Sequence, residues 1–259
     1  MILFPNPKIN IGLNILSRRP DGYHEIATVF YPVLSMTDIL EIVEVPAGKP
    51  TSLTVTGNHI DCHEEDNLVF RAFRLIKELY EIPNVEIHLH KIIPDGAGLG
   101  GGSADAAFMI KGLNEMFALD ISDTDLANIA ARLGADCPFF IYNRPMYATG
   151  IGTDLSPIDI DLTDYEIRIE KPDVYVSTKE AYAYVTPKKP DVELIDAVKL
   201  PVDKWSGIIS NDFENSIFPS HSEISEVKRR FYDNGAVYAS MSGSGSAVYG
   251  LFKKETRDN

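Results

Sequence analysis

The sequence predicts an α+β fold in two successive domains, residues 1–153 and 154–259, and three patterns carry that prediction. The first third is dominated by strand-like runs in which apolar and polar residues alternate, the mark of amphipathic antiparallel strands. Two helical segments then follow one another directly, where a doubly wound parallel sheet would need a strand between them. Finally, the polar, irregular stretch GTDLSPIDIDL separates this half from a second series of strands and helices, so the boundary is expected there.

The opening strand places Ile9, Ile11, Leu13 and Ile15 on one face and Lys8, Asn10, Gly12 and Asn14 on the other. SRRPDGYHE carries a Pro-Asp-Gly turn signal, after which HEIATVFYPVL returns as a strand. DILEIVEV, SLTVTG and VEIHLHKII read as further antiparallel strands, interrupted by the helix LVFRAFRLIKELY with Asp66 or Asn67 as its cap. A glycine loop follows Pro94 and leads into the helix ADAAFMIKGLNEMF, where Ala107, Ile110, Leu113 and Phe117 recur at helical spacing. Ser122 and Asp125 form a capping pattern for the next helix, LANIAARL, which Gly134 stops. Asp136 thus falls just past a helix end, ahead of Pro138 and a strand-like FFIY. Beyond the boundary the order is strand (YEIRIEK), helix (TKEAYAYV), an irregular stretch with helical pieces, helix (EISEVKRRFYDNG) and two strands (AVYASMS, SAVYGLFK).

Composition narrows the function. With 44% hydrophobic and 24% charged residues the chain is in the ordinary globular range. Its formal charge of −14 offers no basic footprint for a nucleic-acid backbone or an anionic membrane. A phosphate ligand must therefore be met locally, by backbone amides, a helix end, a few lysines and a divalent cation. The N-terminal segment is broken by two prolines and reads as folded protein, and no run is long and apolar enough to span a bilayer. Cys62 and Cys137 are too few and too far apart for a disulfide scaffold, which points to a reducing, cytoplasmic setting with both thiols in the core.

The strongest local signal is PDGAGLGGGSADAA. Glycines let a backbone turn tightly and approach a bulky anion, and the helix that follows adds unpaired N–H groups and a partial positive charge. The plain alternative is a glycine-rich turn that binds nothing. A Walker loop is excluded, because Gly102 runs into Ser103 and Ala104 where Lys and Ser or Thr are needed. Gly96, Gly98 and Gly101 match the dinucleotide spacing, but the preceding strand alternates instead of running continuously apolar, and the following helix leads into another helix.

PDGAGLGGGSADAA instead resembles the phosphate-binding motif of the superfamily of galactokinase, homoserine kinase, mevalonate kinase and phosphomevalonate kinase, the GHMP kinases. PKINIGLNILSRRPDGYHEIATVF and ASMSGSGSAVYGLF agree with it in the expected order, and the DGYHE turn resembles the branch that acts on a cytidine diphosphate-linked methylerythritol in the non-mevalonate isoprenoid route. The resemblance implies a ribosomal-protein-S5-like N-terminal α/β domain, a ferredoxin-like C-terminal α+β sandwich, and ATP and Mg²⁺ as cofactors. It also implies a small-molecule substrate, with neither nucleic acid nor membrane as partner, in a monomer or homodimer.

Residue by residue, it implies that Lys8 and Asp136 are the catalytic pair, which fits the need for a cation beside the transferring phosphoryl and a carboxylate to take the hydroxyl proton. Pro94, Asp95, Gly96, Ala97, Gly98, Leu99, Gly100, Gly101, Gly102, Ser103 and Ala104 are expected to hold the ATP phosphates; Ala104 stands where many members carry a second serine. Tyr23 by stacking and His24 by hydrogen bonding are expected to read the cytosine, with Tyr182 as the second aromatic. Asn10 is expected near the polyol or phosphates, and Ser242, Gly243, Ser244 and Gly245 near the diphosphate or the transferred group. His59, Cys62 and His63, or His88 with His90, fall short of a tetrahedral zinc set, so no protein metal site is expected. A sister kinase for mevalonate, homoserine or a sugar would share the glycine loop without the DGYHE turn, and a non-catalytic nucleotide-binding regulator would not need both Lys8 and Asp136.

Overall fold

The computed structural model describes residues 1–254. Its strands are β1 (Ile2–Leu3), β2 (Lys8–Arg18), β3 (His24–Pro32), β4 (Ile39–Glu44), β5 (Ser52–Gly57), β6 (Val85–Lys91), β7 (Met146–Thr149), β8 (Asp154–Pro157), β9 (Tyr165–Glu170), β10 (Tyr238–Met241) and β11 (Val248–Lys253). Its helices are α1 (Leu68–Leu79), α2 (Gly101–Met116), α3 (Asp123–Ala131), α4 (Cys137–Tyr142), α5 (Thr178–Ala183), α6 (Leu194–Ala197), α7 (Phe213–Ile217) and α8 (Ser222–Asp233). Two compact units are formed. One comprises Met1–Lys8, Pro32–Asp95 and Gly100–Arg144, and the other Ile9–Tyr31, Gly96–Leu99 and the chain from Pro145 onward. Each is assembled from separate stretches, whereas the expected boundary after residue 153 is a single cut along the chain. The reason is pairing: β3 bonds to β7 and β7 to β8, so the opening strands share a sheet with residues on both sides of that cut.

In the first unit the sheet order is β1-β4-β6-β5. β4 and β6 are antiparallel, with Leu40 opposite Leu89 and Ile42 opposite Ile87, all buried. β5 and β6, expected to be antiparallel, run parallel. α1 lies between them in the chain, and a strand that returns through a helical crossover re-enters the sheet in the same direction. Asn67 caps α1 by accepting from the Val69 amide at 3.0 Å, and Ser122 caps α3 by accepting from the Asp125 amide at 3.2 Å, so both start signals act as expected. FFIY is not a strand but most of α4. Pro138 suits a first helical turn, and a short run in which Phe139, Phe140 and Ile141 are all buried carries no periodicity to separate strand from helix. Cys137 is buried, but Cys62 is exposed, contrary to the expectation that both thiols lie in the core.

The second unit contains the sheets β2-β3-β7-β8 and β10-β11-β9. α8 presents Ile224, Val227 and Phe231 at helical spacing to a core that also holds Leu13, Ile15 and Phe213. Burying each such side chain stabilises by about 1.5–3 kcal/mol, which outweighs the weak intrinsic helicity of a twelve-residue segment. Among the described residues no helix is long and apolar enough to cross a membrane.

Candidate active site

Lys8 opens β2, and Asp136 is the residue immediately before α4; both belong to the first unit. Lys8 Nζ lies 3.6 Å from Asp136 Oδ2, with the lysine side chain 4% exposed and the aspartate 35%. Burial pushes the Lys8 ammonium below its ordinary value, and the charge of Asp136 works against that shift. The pair thus couples a fixed, poorly hydrated cation to a carboxylate that a hydroxyl can still reach.

The exit of the glycine loop adjoins this pair. Gly100 has φ +70°, and a Cβ on it would stand 3.4 Å from Lys8 Cε and 3.0 Å from the Phe140 ring, so a larger residue would press into the lysine stem. α2 begins at Gly101, and the amides of Gly101, Gly102 and Ser103 fall in the first turn, where no intrahelical acceptor exists. Ala104 N, one residue later, already bonds back to Gly100 O at 2.8 Å. Cys137 neighbours Ser103; burial pushes its thiol up to about 11, against the hydrogen bond from Ser103, so the sulfur stays protonated and unreactive.

Where the chain leaves β6 and where α2 begins lies an ionic cluster that sequence reasoning missed. Lys91 Nζ donates to Asp38 Oδ2, and to Asp105 Oδ2 at 2.7 Å. Asp38 Oδ1 accepts from the amides of Ile92 at 2.5 Å and Ile93 at 2.8 Å. Asp38 and Lys91 therefore hold the loop where it leaves β6, and Asp105 ties in the first turns of α2 where the loop ends. Asp105 Oδ1 is buried without a hydrogen-bond partner. Burial pushes the Asp105 carboxyl up to about 8, against the pull of Lys91 and with the added repulsion of Asp38. The available signal was phase: Lys91 occupies the inward position of Val85, Ile87 and Leu89, and an inward charge requires a buried counter-charge.

The segment Gly96–Leu99 is counted with the second unit, where it lies against residues 242–247. Ala247 N donates to Ala97 O at 3.1 Å and Ser242 Oγ to Gly98 O at 2.9 Å. A Cβ on Gly98, whose φ is +74°, would come within 2.1 Å of Ser242 O. Gly98 is thus required by the close approach of two backbones. Ala97 and Leu99 anchor the segment with buried side chains, while Asp95 and Gly96 are exposed and Pro94 is half-buried. Asn10 donates from its backbone to Ser242 Oγ at 3.3 Å and from Nδ2 to Thr28 Oγ1 at 2.9 Å. Gly243 has φ +54° and Gly245 φ +92°, and Ser244 Oγ is 3.4 Å from Thr178 Oγ1.

Of the three aromatics expected to read a base, two are brought together. The His24 and Tyr182 rings stack at 4.7 Å with 17° between their planes, and Tyr182 meets the edge of Phe213 at 4.8 Å. Tyr23 stands apart from this stack on the turn, 63% exposed.

The family model of the GHMP kinases N-terminal domain matches residues 67–144, and that of the GHMP kinases C-terminal region matches residues 201–259. The chain is 54% identical over 256 residues to a 4-diphosphocytidyl-2-C-methyl-D-erythritol kinase of Parabacteroides distasonis, covering 99% of this chain and 93% of the relative. It is also 54% identical to the kinase of that name from Bacteroides thetaiotaomicron, covering 98% and 93%. A crystal structure of 4-(cytidine 5'-diphospho)-2C-methyl-D-erythritol kinase superposes with a TM-score of 0.80 at 33% identity, covering 97% of this chain and 90% of that one. A glycine loop opening onto a helix, a Lys and Asp pair at its exit and full-length similarity of this degree agree: the chain belongs to the GHMP kinases, and within them to the 4-diphosphocytidyl-2-C-methyl-D-erythritol kinase family.

Proposed function

We propose that the chain transfers the γ-phosphoryl group of ATP to the 2-hydroxyl of 4-diphosphocytidyl-2-C-methyl-D-erythritol, a step of the non-mevalonate route to isoprenoid precursors. The observation that carries this reading is the 3.6 Å pairing of Lys8 with Asp136 at the exit of the glycine loop. Asp136 orients the substrate hydroxyl and takes its proton as the oxygen attacks phosphorus in line; the bond to ADP breaks in the same displacement, with no phosphoryl-enzyme. Lys8 stabilises the negative charge that spreads over the transferring oxygens, and its burial makes that interaction stronger than it would be in water.

Residues Pro94 to Ala104 bind the ATP phosphates through loop amides and the start of α2, where the helix dipole favours an anion. Asn10 and the loop Ser242, Gly243, Ser244 and Gly245 hold the polyol and diphosphate. His24 and Tyr182, with Tyr23 from the turn, bind the cytosine, whose binding energy positions the reacting hydroxyl. The Ser103 hydroxyl at the start of α2 is an oxygen donor that suits a hard cation. Mg²⁺ is the hard cation that such a donor, together with the phosphates of ATP, would hold. When bound, that ion supplies charge neutralisation of the phosphate oxygens.

The test is a coupled ADP-release assay with the cytidine diphosphate-linked methylerythritol, mevalonate and homoserine offered in turn. Turnover with the first alone is expected. Comparable rates with mevalonate or homoserine, or ADP release that needs no alcohol, would overturn the proposal.

A further inference from the structure

Asn211 is 1% exposed and held on both sides by β2: Leu13 N donates to Ser210 O at 2.9 Å, and Asp212 N donates to Leu13 O at 2.8 Å. With its backbone fixed in this way, its side chain points into the loop between β10 and β11. Nδ2 donates to Met241 O and to Gly243 O, both at 2.8 Å, and Oδ1 accepts from Phe213 N at 3.0 Å. Only one orientation of the amide satisfies two carbonyls at one end and an N–H at the other, so the roles of nitrogen and oxygen are fixed by their partners.

The two carbonyls flank Ser242. Drawing both toward one nitrogen fixes the 241–242 and 243–244 peptide planes; the 242–243 peptide between them directs Ser242 O at the space where Gly98 has no side chain, and Ser242 Oγ donates to Gly98 O, 2.9 Å away. Asn10 N donates to the same hydroxyl at 3.3 Å. One buried amide therefore stands behind the contact by which residues 242–247 hold Gly96–Leu99. No charged group and no metal is needed for this, only two donors 120° apart on one atom.

We infer that Asn211 is a positioning residue for both glycine loops, acting through the backbone of Met241, Ser242 and Gly243 and not by touching a ligand. The inference rests on the reading that the loop Pro94 to Ala104 binds the phosphates of ATP. Nothing in the sequence marked Asn211 for such a part, since it lies in an irregular stretch with neither a glycine motif nor a helix pattern beside it.

The discriminating variant is Asn211→Asp. It keeps the acceptor for Phe213 N, and so the start of α7 against which Tyr182 packs, but sets an oxygen against two carbonyl oxygens where a donor stood. Binding of the imido-bridged ATP analogue in magnesium buffer and of cytidine should be measured by calorimetry on the folded full chain. Binding of the analogue is expected to weaken at least about tenfold while that of cytidine stays within about twofold, the size of effect that two lost buried hydrogen bonds produce. Analogue binding as in the parent chain, or equal weakening for both ligands, would overturn the inference, the second outcome marking a merely structural role. Should Asn211→Asp fail to fold, Asn211→Ala is read by the same ratio of the two effects. Gly102→Asp tests the underlying reading separately. If it weakens the analogue while Asn211→Asp does not, the inference about Asn211 alone fails; if it leaves the analogue unaffected, the phosphate-loop reading fails and the inference falls with it.

Discussion

Lys8 carries its charge into a place where water barely reaches it, and it keeps a carboxylate at 3.6 Å as partner. On the proposed mechanism, removing the charge with Lys8→Met, or the carboxylate with Asp136→Asn, is expected to lower kcat at least about 100-fold, a loss of roughly 3 kcal/mol of transition-state stabilisation, with circular dichroism unchanged. A rate within a few-fold of the parent enzyme in either variant would remove that residue from the chemistry. Because burial lowers the Lys8 pKa from its ordinary 10.5, the lysine sheds its proton earlier than an exposed one would as pH rises. The kcat profile should accordingly bend down on its alkaline side below pH 10.5, and Lys8→Arg, whose guanidinium stays charged, should move that bend outward. An identical alkaline limb in Lys8→Arg would exclude Lys8 as its source. At this scale motifs single out residues in the sequence but not their environment. Nothing in KINIG says that a lysine on the polar face of β2 is as buried as the isoleucines on the other. Nor does DGYHE indicate that the His24 ring lies flat on Tyr182.

The glycine loop shows what an element adds to its residues. A string of five glycines reads as an anion cradle, and the sequence cannot tell which glycine makes room for a ligand and which for protein. In the structure Gly98 and Gly102 differ in this respect. Gly98 has positive φ and a Cβ there would collide with Ser242 O at 2.1 Å, whereas Gly102 has ordinary helical backbone and a Cβ there would meet only Leu68 Cδ1 at 3.5 Å. Gly98→Ala should therefore cost stability, by roughly 1–3 kcal/mol in urea unfolding, and weaken nucleotide binding with it. Gly102→Ala should leave unfolding within about 0.5 kcal/mol of the parent. Equal unfolding midpoints for the two variants would refute this division. Helix starts at Asn67 and Ser122 were legible because a cap is a local bond between neighbours in sequence. The direction of β5 and the helical state of FFIY were not, since the first is set by where a crossover returns the chain and the second by the burial of three successive apolar residues.

Over the whole molecule, the α+β class and the two-part build were legible, but which strands join which unit was not, because β3 finds its partner β7 more than a hundred residues later. The same distance in sequence conceals the buried cluster of Asp38, Lys91 and Asp105, and that cluster ties the stability of the fold to pH. Asp105 has an ordinary value of 3.8 when exposed and is raised to about 8 in the folded chain. Between those two values the folded state holds a proton that the unfolded chain has released, so stability falls as pH climbs through that window and the loss is complete above it. Lys91 does not offset the trend there, because its own pKa is raised above 10.5 and it stays charged throughout. The net charge of −14 adds a general repulsion that also grows with pH, so the slope must be assigned by substitution. Asp105→Asn cannot ionise and still offers Lys91 an acceptor, while every other carboxylate of the chain is left in place. Its thermal midpoint, followed from pH 5 to pH 9, should decline less steeply than that of the parent and cross it on the alkaline side. Parallel curves for the two proteins would mean that Asp105 stays ionised in the fold, with Lys91 balancing both carboxylates, and that the slope belongs to the surface.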